Sequence, residues 1–122
     1  FMGSIVSYSN ELKTDVLNVP KSVIEQHGAV SHECAKAMAL GARLTGRSNV
    51  GLSVTGIAGP DGGSPTKPVG TFFVGMSSDE TLMSRRFLMP GKREWVKTLA
   101  AMQTLDTLRR SLLGYRLHGD LD

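Results

Sequence analysis

A glycine-rich loop between two apolar segments is the feature that most restricts how this chain can fold. It runs from Val54 to Ser64 and has four glycines within eight residues. Because glycine lacks a Cβ atom, such a loop can adopt positive φ angles and leave backbone N–H groups uncovered, so that it can wrap around an anion or a polarised carbonyl. A mobile surface linker is the alternative interpretation. Ile57 and Pro60 are stiff residues among the glycines, and they favour a fixed shape.

The spacing of these glycines matches neither of two common nucleotide-binding motifs. It differs from the dinucleotide-binding pattern G-x-G-x-x-G, and no Lys-Ser or Lys-Thr pair follows a final glycine into a helix, as a P-loop requires. The loop is therefore a candidate binding site of another kind.

The apolar pattern around the loop predicts four strands and four helices. Residues 50–54 are almost continuously apolar, as in a central strand covered on both faces. The last helix is predicted to bury one apolar side, formed by Val96, Leu99, Met102, Leu105, Leu108 and Leu112. The predicted strands are residues 3–8, 50–54, 71–76 and 82–88, and the predicted helices are residues 11–17, 21–27, 32–45 and 94–113.

This order of elements predicts an α/β protein, in which helices cover both faces of a mixed sheet in a three-layer α/β/α sandwich. The length and the lack of a Pro-rich or charge-rich break predict one domain over residues 1–122. The sequence begins at Phe1, on the approach to a predicted strand. We therefore expect a first strand and helix to precede residue 1 in the intact protein.

Several side chains are predicted to cap helices. Asn10 is expected to cap the first helix and Ser31 the third, and Gly28 is expected to end the second. His27 then lies at a helix end, where the macrodipole favours a cation, so capping explains it better than catalysis. His32 is predicted to be exposed.

The charged residues indicate an ordinary solvated surface rather than a nucleic-acid interface. The net charge is +3, and the basic residues are scattered, with no RNA- or DNA-binding motif to support the alternative. No apolar stretch is long enough for a membrane span. We therefore expect no nucleic-acid partner and no membrane partner.

The cysteine and histidine residues predict neither a disulfide nor a metal site. Cys34 is the single cysteine and is surrounded by small apolar residues, which predicts a buried thiol in a reducing, cytoplasmic compartment. His27, His32 and His118 are not grouped with carboxylates at ligand spacing, so no metal is expected.

Tyr8, Asn10 and Lys13 are predicted to converge where the first strand meets the first helix. Such corners are where α/β proteins commonly bind ligands. In the alternative interpretation, Tyr8 only packs at the edge of the sheet and Lys13 points into water.

Four motifs resemble, in order and spacing, those of the C-terminal domain family of the competence/damage-inducible protein CinA. The motifs are residues 8–13, 26–31, 55–64 and 67–71. Family members with known activity are nicotinamide-nucleotide amidases, which hydrolyse nicotinamide mononucleotide to nicotinate mononucleotide and ammonia in pyridine-nucleotide salvage. The resemblance implies this activity here, with nicotinamide mononucleotide as the substrate and no cofactor. We also expect a homo-oligomer.

The resemblance also implies roles for individual residues. The family's nucleophile is a serine in a Glu-Ser-Cys-Thr-Gly-Gly stretch, which this sequence lacks, and we expect it upstream of residue 1. By the family pattern, Tyr8 and Lys13 are catalytic and activate that serine. The implied substrate-binding residues are Asn10, Thr55, Gly56, Ile57, Ala58, Gly59 and Arg93. Arg93 resembles the arginine of the family's Gly-Asp-Arg segment and is expected to bind the 5′-phosphate, although Lys92 replaces the aspartate.

The chemistry of amide hydrolysis agrees with these roles. An amide is a poor electrophile with a poor leaving group, so it needs an activated hydroxyl, a proton donor for ammonia and N–H groups facing the oxyanion. Two other functions stay open: a non-catalytic module linked to competence or DNA damage, and a mononucleotide-phosphate binder that uses the glycine loop. The second does not explain Tyr8 and Lys13.

Overall fold

A sheet of three antiparallel strands, covered by helices on both faces, organises the described part of the chain. The computed structural model describes residues 1–115 and 117. The sheet has the strand order β1-β2-β3. The elements in chain order are α1 (Asn10–Asp15), α2 (Lys21–His27), α3 (His32–Thr45), β1 (Gly51–Gly56), β2 (Thr71–Ser77), β3 (Leu82–Leu88) and α4 (Arg93–Leu112).

The central strand β2 separates two packed layers, because successive side chains of a strand point to opposite faces. All seven residues of β2 are buried. On one face, Phe72 and Val74 pack with Val96 and Ala100 of α4. On the other face, the ring of Phe73 meets the ring of His32 in α3 edge-on, with centroids 4.7 Å apart. The α/β class and the three-layer arrangement are therefore confirmed.

Helix α3 lies unusually close to the sheet, because glycines face it. A Cβ atom built at Gly75 would lie 2.3 Å from the carbonyl oxygen of Ala35, and one at Gly51 would lie 2.1 Å from that of Ala39. This approach allows the Ser53 hydroxyl to donate to the Ala35 carbonyl over 2.6 Å. Small residues thus fix the distance between α3 and the sheet.

The prediction of a mixed sheet is wrong for the described strands. β1 pairs with β2 and β2 with β3, in both cases antiparallel. The strand predicted at residues 3–8 is also wrong: no residue of this segment is assigned to a strand, and Val6 and Tyr8 are 71% and 78% exposed. β-forming side chains need a neighbouring strand to pack against, and among the described residues none pairs with this segment.

Two details of the helix termini also differ from the prediction. Ser9, not Asn10, caps α1: its hydroxyl accepts a hydrogen bond from the Leu12 amide over 3.1 Å. The helix is correspondingly shifted, to Asn10–Asp15. The predicted cap of α3 is confirmed, since the Ser31 hydroxyl accepts from the Cys34 amide over 3.1 Å.

The apolar side predicted for α4 is only partly buried. Val96 is 2% exposed, whereas Met102, Leu105 and Leu112 are 59%, 64% and 73% exposed. The rings of Phe72 and Phe87 stack 5.0 Å apart on this face of the sheet. Ala100 packs in the same cluster as these rings, and Ala100 and Thr107 are buried in place of the larger predicted residues.

His32 is not exposed, contrary to the prediction. It is half-buried, its Nδ1 atom is hydrogen-bonded to the Ser84 hydroxyl, and its ring packs against Phe73. The prediction failed because His32 is the first residue of α3, where no repeating apolar pattern indicates which side chains are buried. Ser84 comes next to His32 only when α3 packs on β3.

We predict that Gly41→Ala destabilises the protein, although alanine normally stabilises a helix interior by about 1 kcal/mol relative to glycine. A Cβ atom here would lie 1.9 Å from the carbonyl oxygen of Leu17, so the segment after α1 must move. We expect the free energy of unfolding, measured in urea, to fall by about 1–3 kcal/mol. Gly46→Ala is the control and should lose less, because its nearest contact is 3.0 Å away. A Gly41→Ala protein that is more stable than the parent would contradict the close contact.

Candidate functional site

A groove runs along the free edge of β1. It has a volume of about 1050 Å³, and both the segment Phe1–Tyr8 and the strand β1 line it. Lys13 also lines this groove, as do Leu108 and Leu112 of α4. The groove therefore brings together Tyr8, Lys13, Thr55 and Gly56, which are four of the residues predicted from the sequence to form the site.

Lys13 is a buried lysine whose ammonium group is held by backbone carbonyls. It is 6% exposed. Its Nζ atom donates to the carbonyl of Ser7 over 2.7 Å, to that of Tyr8 over 3.2 Å and to that of Ser9 over 3.5 Å. A buried charge needs such partners. The alternative in which Lys13 points into water is therefore wrong.

Tyr8 and Asn10 lie close to Lys13 in the chain but do not share its burial. The side chain of Tyr8 lines the groove and is 78% exposed, and Asn10 is also exposed. The contact between Tyr8 and Lys13 is made by the Tyr8 carbonyl, over 3.2 Å. The predicted corner lacks its strand, and of its three residues only Tyr8 and Lys13 line the groove, with Tyr8 exposed and Lys13 buried.

Thr55 joins the end of β1 to the loop before α3. Its hydroxyl donates to the Ala29 carbonyl over 2.7 Å, and the residue is 8% exposed. Gly56 follows at the end of β1, where a Cβ atom would lie 2.5 Å from the Cβ of Phe72. A side chain at this position would therefore collide with the neighbouring strand.

The glycine loop is anchored, which confirms the fixed shape predicted from Ile57 and Pro60. The Ile57 amide donates to the Thr71 carbonyl, and the Gly70 amide donates to the Ile57 carbonyl, each over 2.8 Å. Ala58 packs against the core between the sheet and α4. Gly59 is buried with a φ of +83°, and a Cβ atom there would lie 2.5 Å from Val69 Cγ1.

Arg93 contacts the loop rather than the groove. Its Nη1 atom donates to the Gly59 carbonyl over 3.0 Å, which ties the start of α4 to the glycine loop. Asn10, Ile57, Ala58, Gly59 and Arg93 are not among the residues that line the groove. The structure thus divides the predicted site residues between a groove wall and an anchored loop.

The Cys34 thiol lies within the electrostatic influence of Lys13. Cys34 is fully buried, as predicted from the sequence. Burial raises the pKa of this thiol, and the positive charge of Lys13 opposes that shift. Lys13 therefore acts on the first turn of α3 through space.

Two further basic residues, which were not predicted as site residues, make hydrogen bonds at the segment just beyond the glycine loop. Lys67 Nζ donates to the His27 carbonyl over 3.2 Å, and Arg86 Nη2 donates to the Thr66 carbonyl over 2.8 Å. The motif that contains Lys67 was a signal that it matters. Arg86 gave no such signal, because its role depends on where β3 lies.

The described residues contain neither a metal-binding cluster nor a membrane-spanning helix. No group of three or more His, Cys, Asp or Glu side chains there is arranged to hold a metal ion, and His118 lies outside the described residues. Within the same part of the chain, no helix combines the length and the apolar character needed to cross a membrane.

The sequence profile of the CinA C-terminal domain family matches residues 1–112 of this chain. The chain belongs to this family. A CinA-like protein from Citrifermentans bemidjiense is 50% identical over 113 residues, and a CinA-like protein from Dictyoglomus thermophilum is 44% identical over 113 residues. These matches cover 93% of this chain but only 27% and 28% of the two relatives. The chain thus spans little more than a quarter of their length.

Solved structures agree with the family and with the fold. The competence damage-inducible protein A from Klebsiella pneumoniae has a TM-score of 0.84 and 29% sequence identity, and the match covers 91% of this chain and 69% of that one. The competence/damage inducible protein CihA from Agrobacterium tumefaciens has a TM-score of 0.81 and 33% identity, with 84% and 64% covered. The resemblance inferred from the four motifs is therefore confirmed.

Proposed function

We propose that this domain belongs to an amidohydrolase that converts nicotinamide mononucleotide to nicotinate mononucleotide and ammonia. The observation that carries the proposal is the groove in which Tyr8, Lys13, Thr55 and Gly56 meet. These residues come from separate motifs that resemble those of the amidases in the family. A buried lysine and an accessible phenol beside one groove supply the proton-handling groups that amide hydrolysis needs.

In this proposal the nucleophile is a serine that lies upstream of residue 1 in the intact protein. In its neutral amine form Lys13 keeps two N–H donors for the carbonyls of Ser7 and Tyr8, and its lone pair takes the proton of that serine as the serine oxygen bonds to the amide carbon. Tyr8 then relays this proton from Lys13 to the departing ammonia. The carbonyls of Ser7 and Tyr8 fix the position of Lys13 Nζ, so little reorganisation is needed during the reaction. No metal or cofactor takes part.

The 5′-phosphate of the substrate is assigned to the region of Arg93 and the glycine loop. Arg93 stands at the start of α4 and uses Nη1 to hold the Gly59 carbonyl. A guanidinium has five N–H donors, so the remaining donors can bind an anion while the loop stays anchored. Lys92, one residue earlier, adds a second positive charge at this end of α4.

A non-catalytic binding or regulatory module is the second candidate function. It is favoured by the carbonyl contacts of Lys13, which account for a buried lysine without any catalytic role. The names of the solved relatives refer to competence and damage and not to a reaction. For either function we propose a cytoplasmic homo-oligomer.

We predict that the full-length protein from the encoding gene releases ammonia from nicotinamide mononucleotide and that a chelator leaves the rate unchanged. The reason is that a serine mechanism needs no Lewis acid. Ammonia is measured by a coupled assay, and alanine at the proposed upstream serine is the control. Absence of ammonia release from the full-length protein would favour the non-catalytic module, and loss of activity with chelator that a divalent ion restores would exclude the serine mechanism.

We predict that Lys13→Ala lowers kcat by about a hundredfold to ten-thousandfold, as expected for a general base, and changes KM much less. A proton-transfer group acts mainly in the transition state, so substrate binding should survive its removal. Far-ultraviolet circular dichroism checks the fold, because Lys13 also holds three carbonyls. Lys21→Ala, which removes an exposed lysine, is the matched control. A folded Lys13→Ala protein that keeps its kcat would show that Lys13 is only structural.

We predict that Arg93→Ala raises KM for nicotinamide mononucleotide by about tenfold to a hundredfold, because a charge-assisted hydrogen bond contributes about 1.5–3 kcal/mol. Hydrolysis of nicotinamide riboside, which lacks the phosphate, should change little. Lys97→Ala removes an exposed charge one turn further along α4 and is the control. Equal losses for both substrates, with faster amide hydrogen exchange in the glycine loop, would mean that Arg93 acts only by holding Gly59.

A further inference from the structure

Ser9 closes the turn that wraps around the side chain of Lys13. Its hydroxyl accepts a hydrogen bond from the Leu12 amide over 3.1 Å and so caps α1. The backbone of Ser9 is extended, with φ −81° and ψ 156°, and the chain enters the helix directly after it. The carbonyls that hold Lys13 Nζ belong to Ser9 and to the two residues before it. The cap and these carbonyls are therefore parts of one turn.

The hydroxyl of Ser9 is used both as an acceptor and as a donor. It accepts from the Leu12 amide. Hydrogen bonds from its own backbone amide and from the Ser9 hydroxyl lower the pKa of the Glu11 carboxyl, and the charge of Lys13 acts in the same direction. Because a serine hydroxyl has only one proton to donate, these two partners together fix its orientation.

The carbonyl of Ser9 is shared between two donors of one residue. It accepts from the backbone amide of Lys13 over 3.3 Å and from Lys13 Nζ over 3.5 Å. Within the part of the chain that the structure describes, the carbonyls of Ser7 and Tyr8 have no hydrogen-bond donor other than Nζ. A neutral lysine amine keeps two N–H donors. Of the three carbonyls, only that of Ser9 can lose its contact with Nζ and still keep a donor from the protein.

We propose that Ser9 is a positioning residue for proton transfer by Lys13. This inference rests on the proposed function. The Ser9 hydroxyl holds the turn, so that the carbonyls of Ser7 and Tyr8 keep Nζ in place, and the Ser9 carbonyl is the contact that Lys13 gives up when it acts as a base. Ser9 is exposed and is not among the residues that line the groove. It therefore acts through Lys13 and not on the substrate.

Loss of the Ser9 hydroxyl has two measurable consequences. The first turn of α1 opens more often without its cap, and the carbonyls around Nζ move with it. Hydrogens on Nζ exchange with water when their hydrogen bonds open, so their exchange rate reports directly on this turn. The value of kcat also falls, because Nζ is less often in position for proton transfer, whereas KM changes little.

The test measures both quantities in the full-length protein. Proton–nitrogen NMR with isotope-labelled lysine follows hydrogen exchange at Nζ, and the signal is assigned by its absence from Lys13→Ala. Ser9→Ala removes the hydroxyl and Ser9→Thr keeps it. Ser9→Gly also lacks it but weakens a helix start much less, which covers a Ser9→Ala protein that fails to fold. Ser78→Ala is the matched control, because the Ser78 hydroxyl accepts from the Thr81 amide over the same 3.1 Å, in the turn between β2 and β3.

We expect exchange at Lys13 Nζ to be about threefold to tenfold faster in Ser9→Ala and Ser9→Gly, as for the loss of one neutral hydrogen bond. We expect kcat for nicotinamide mononucleotide to fall by a similar factor, with KM nearly unchanged. Ser9→Thr and Ser78→Ala should resemble the parent protein in both measurements.

Four results would overturn the inference: unchanged exchange at Nζ in the variants that lack the hydroxyl, an equal acceleration in Ser78→Ala, a fall in kcat that Ser9→Thr shares, or a loss that appears in KM alone. A parent protein that releases no ammonia, but in which Ser9→Ala speeds exchange at Lys13 Nζ, would overturn the proposed function alone. Ser9 would then hold Lys13 within a binding module.

Discussion

The close approach of α3 to the sheet is the constraint on which the rest of the structure depends. It requires glycine at positions 51 and 75, because a Cβ atom at either would lie about 2 Å from a carbonyl oxygen of α3 (2.1 Å and 2.3 Å). At this distance Ser53 and Thr55, on the same face of β1, can both reach backbone carbonyls. The packing that builds the core thus also fixes the orientation of the Thr55 hydroxyl beside the groove. Stability and site geometry have one origin here.

The two edge strands of the sheet, β1 and β3, differ in charge. At the β3 edge, Arg85 lies over the Phe87 ring at 4.9 Å from its centroid and Arg86 binds the Thr66 carbonyl; charged residues of this kind protect an edge from pairing with another chain. The residues of β1 carry no charge. An edge strand offers backbone N–H and C=O groups to its open side, and at β1 that side is the groove. The uncharged edge is therefore also the wall at which a ligand can be bound.

Local sequence patterns predicted most of the helices and strands. They could not predict contacts between residues that are far apart in the chain. The period of α3 and its Ser31 cap could be read directly, and so could the strands that flank the glycine loop. The strand predicted at residues 3–8 depends on a neighbouring strand, and the buried side of α4 depends on how this helix lies against the sheet. Likewise, the family resemblance predicted Lys13 and Arg93 as site residues. Only the folded chain shows that Lys13 lines a groove and that Arg93 binds the Gly59 carbonyl.

The hydrogen bonds of Lys13 to backbone carbonyls are compatible with both candidate functions. The carbonyls of Ser7 and Tyr8 neutralise the cost of burying Lys13, and this would be enough for a binding module. They also hold Lys13 beside the groove that β1 lines. A binding module needs only the ammonium, whose third N–H donor contacts the Ser9 carbonyl. A general base needs a lone pair on Nζ, so a catalytic Lys13 has two N–H donors for the carbonyls of Ser7 and Tyr8 and gives up the contact with Ser9, which is the longest of the three at 3.5 Å. The two candidate functions therefore require different hydrogen bonding of the same nitrogen atom.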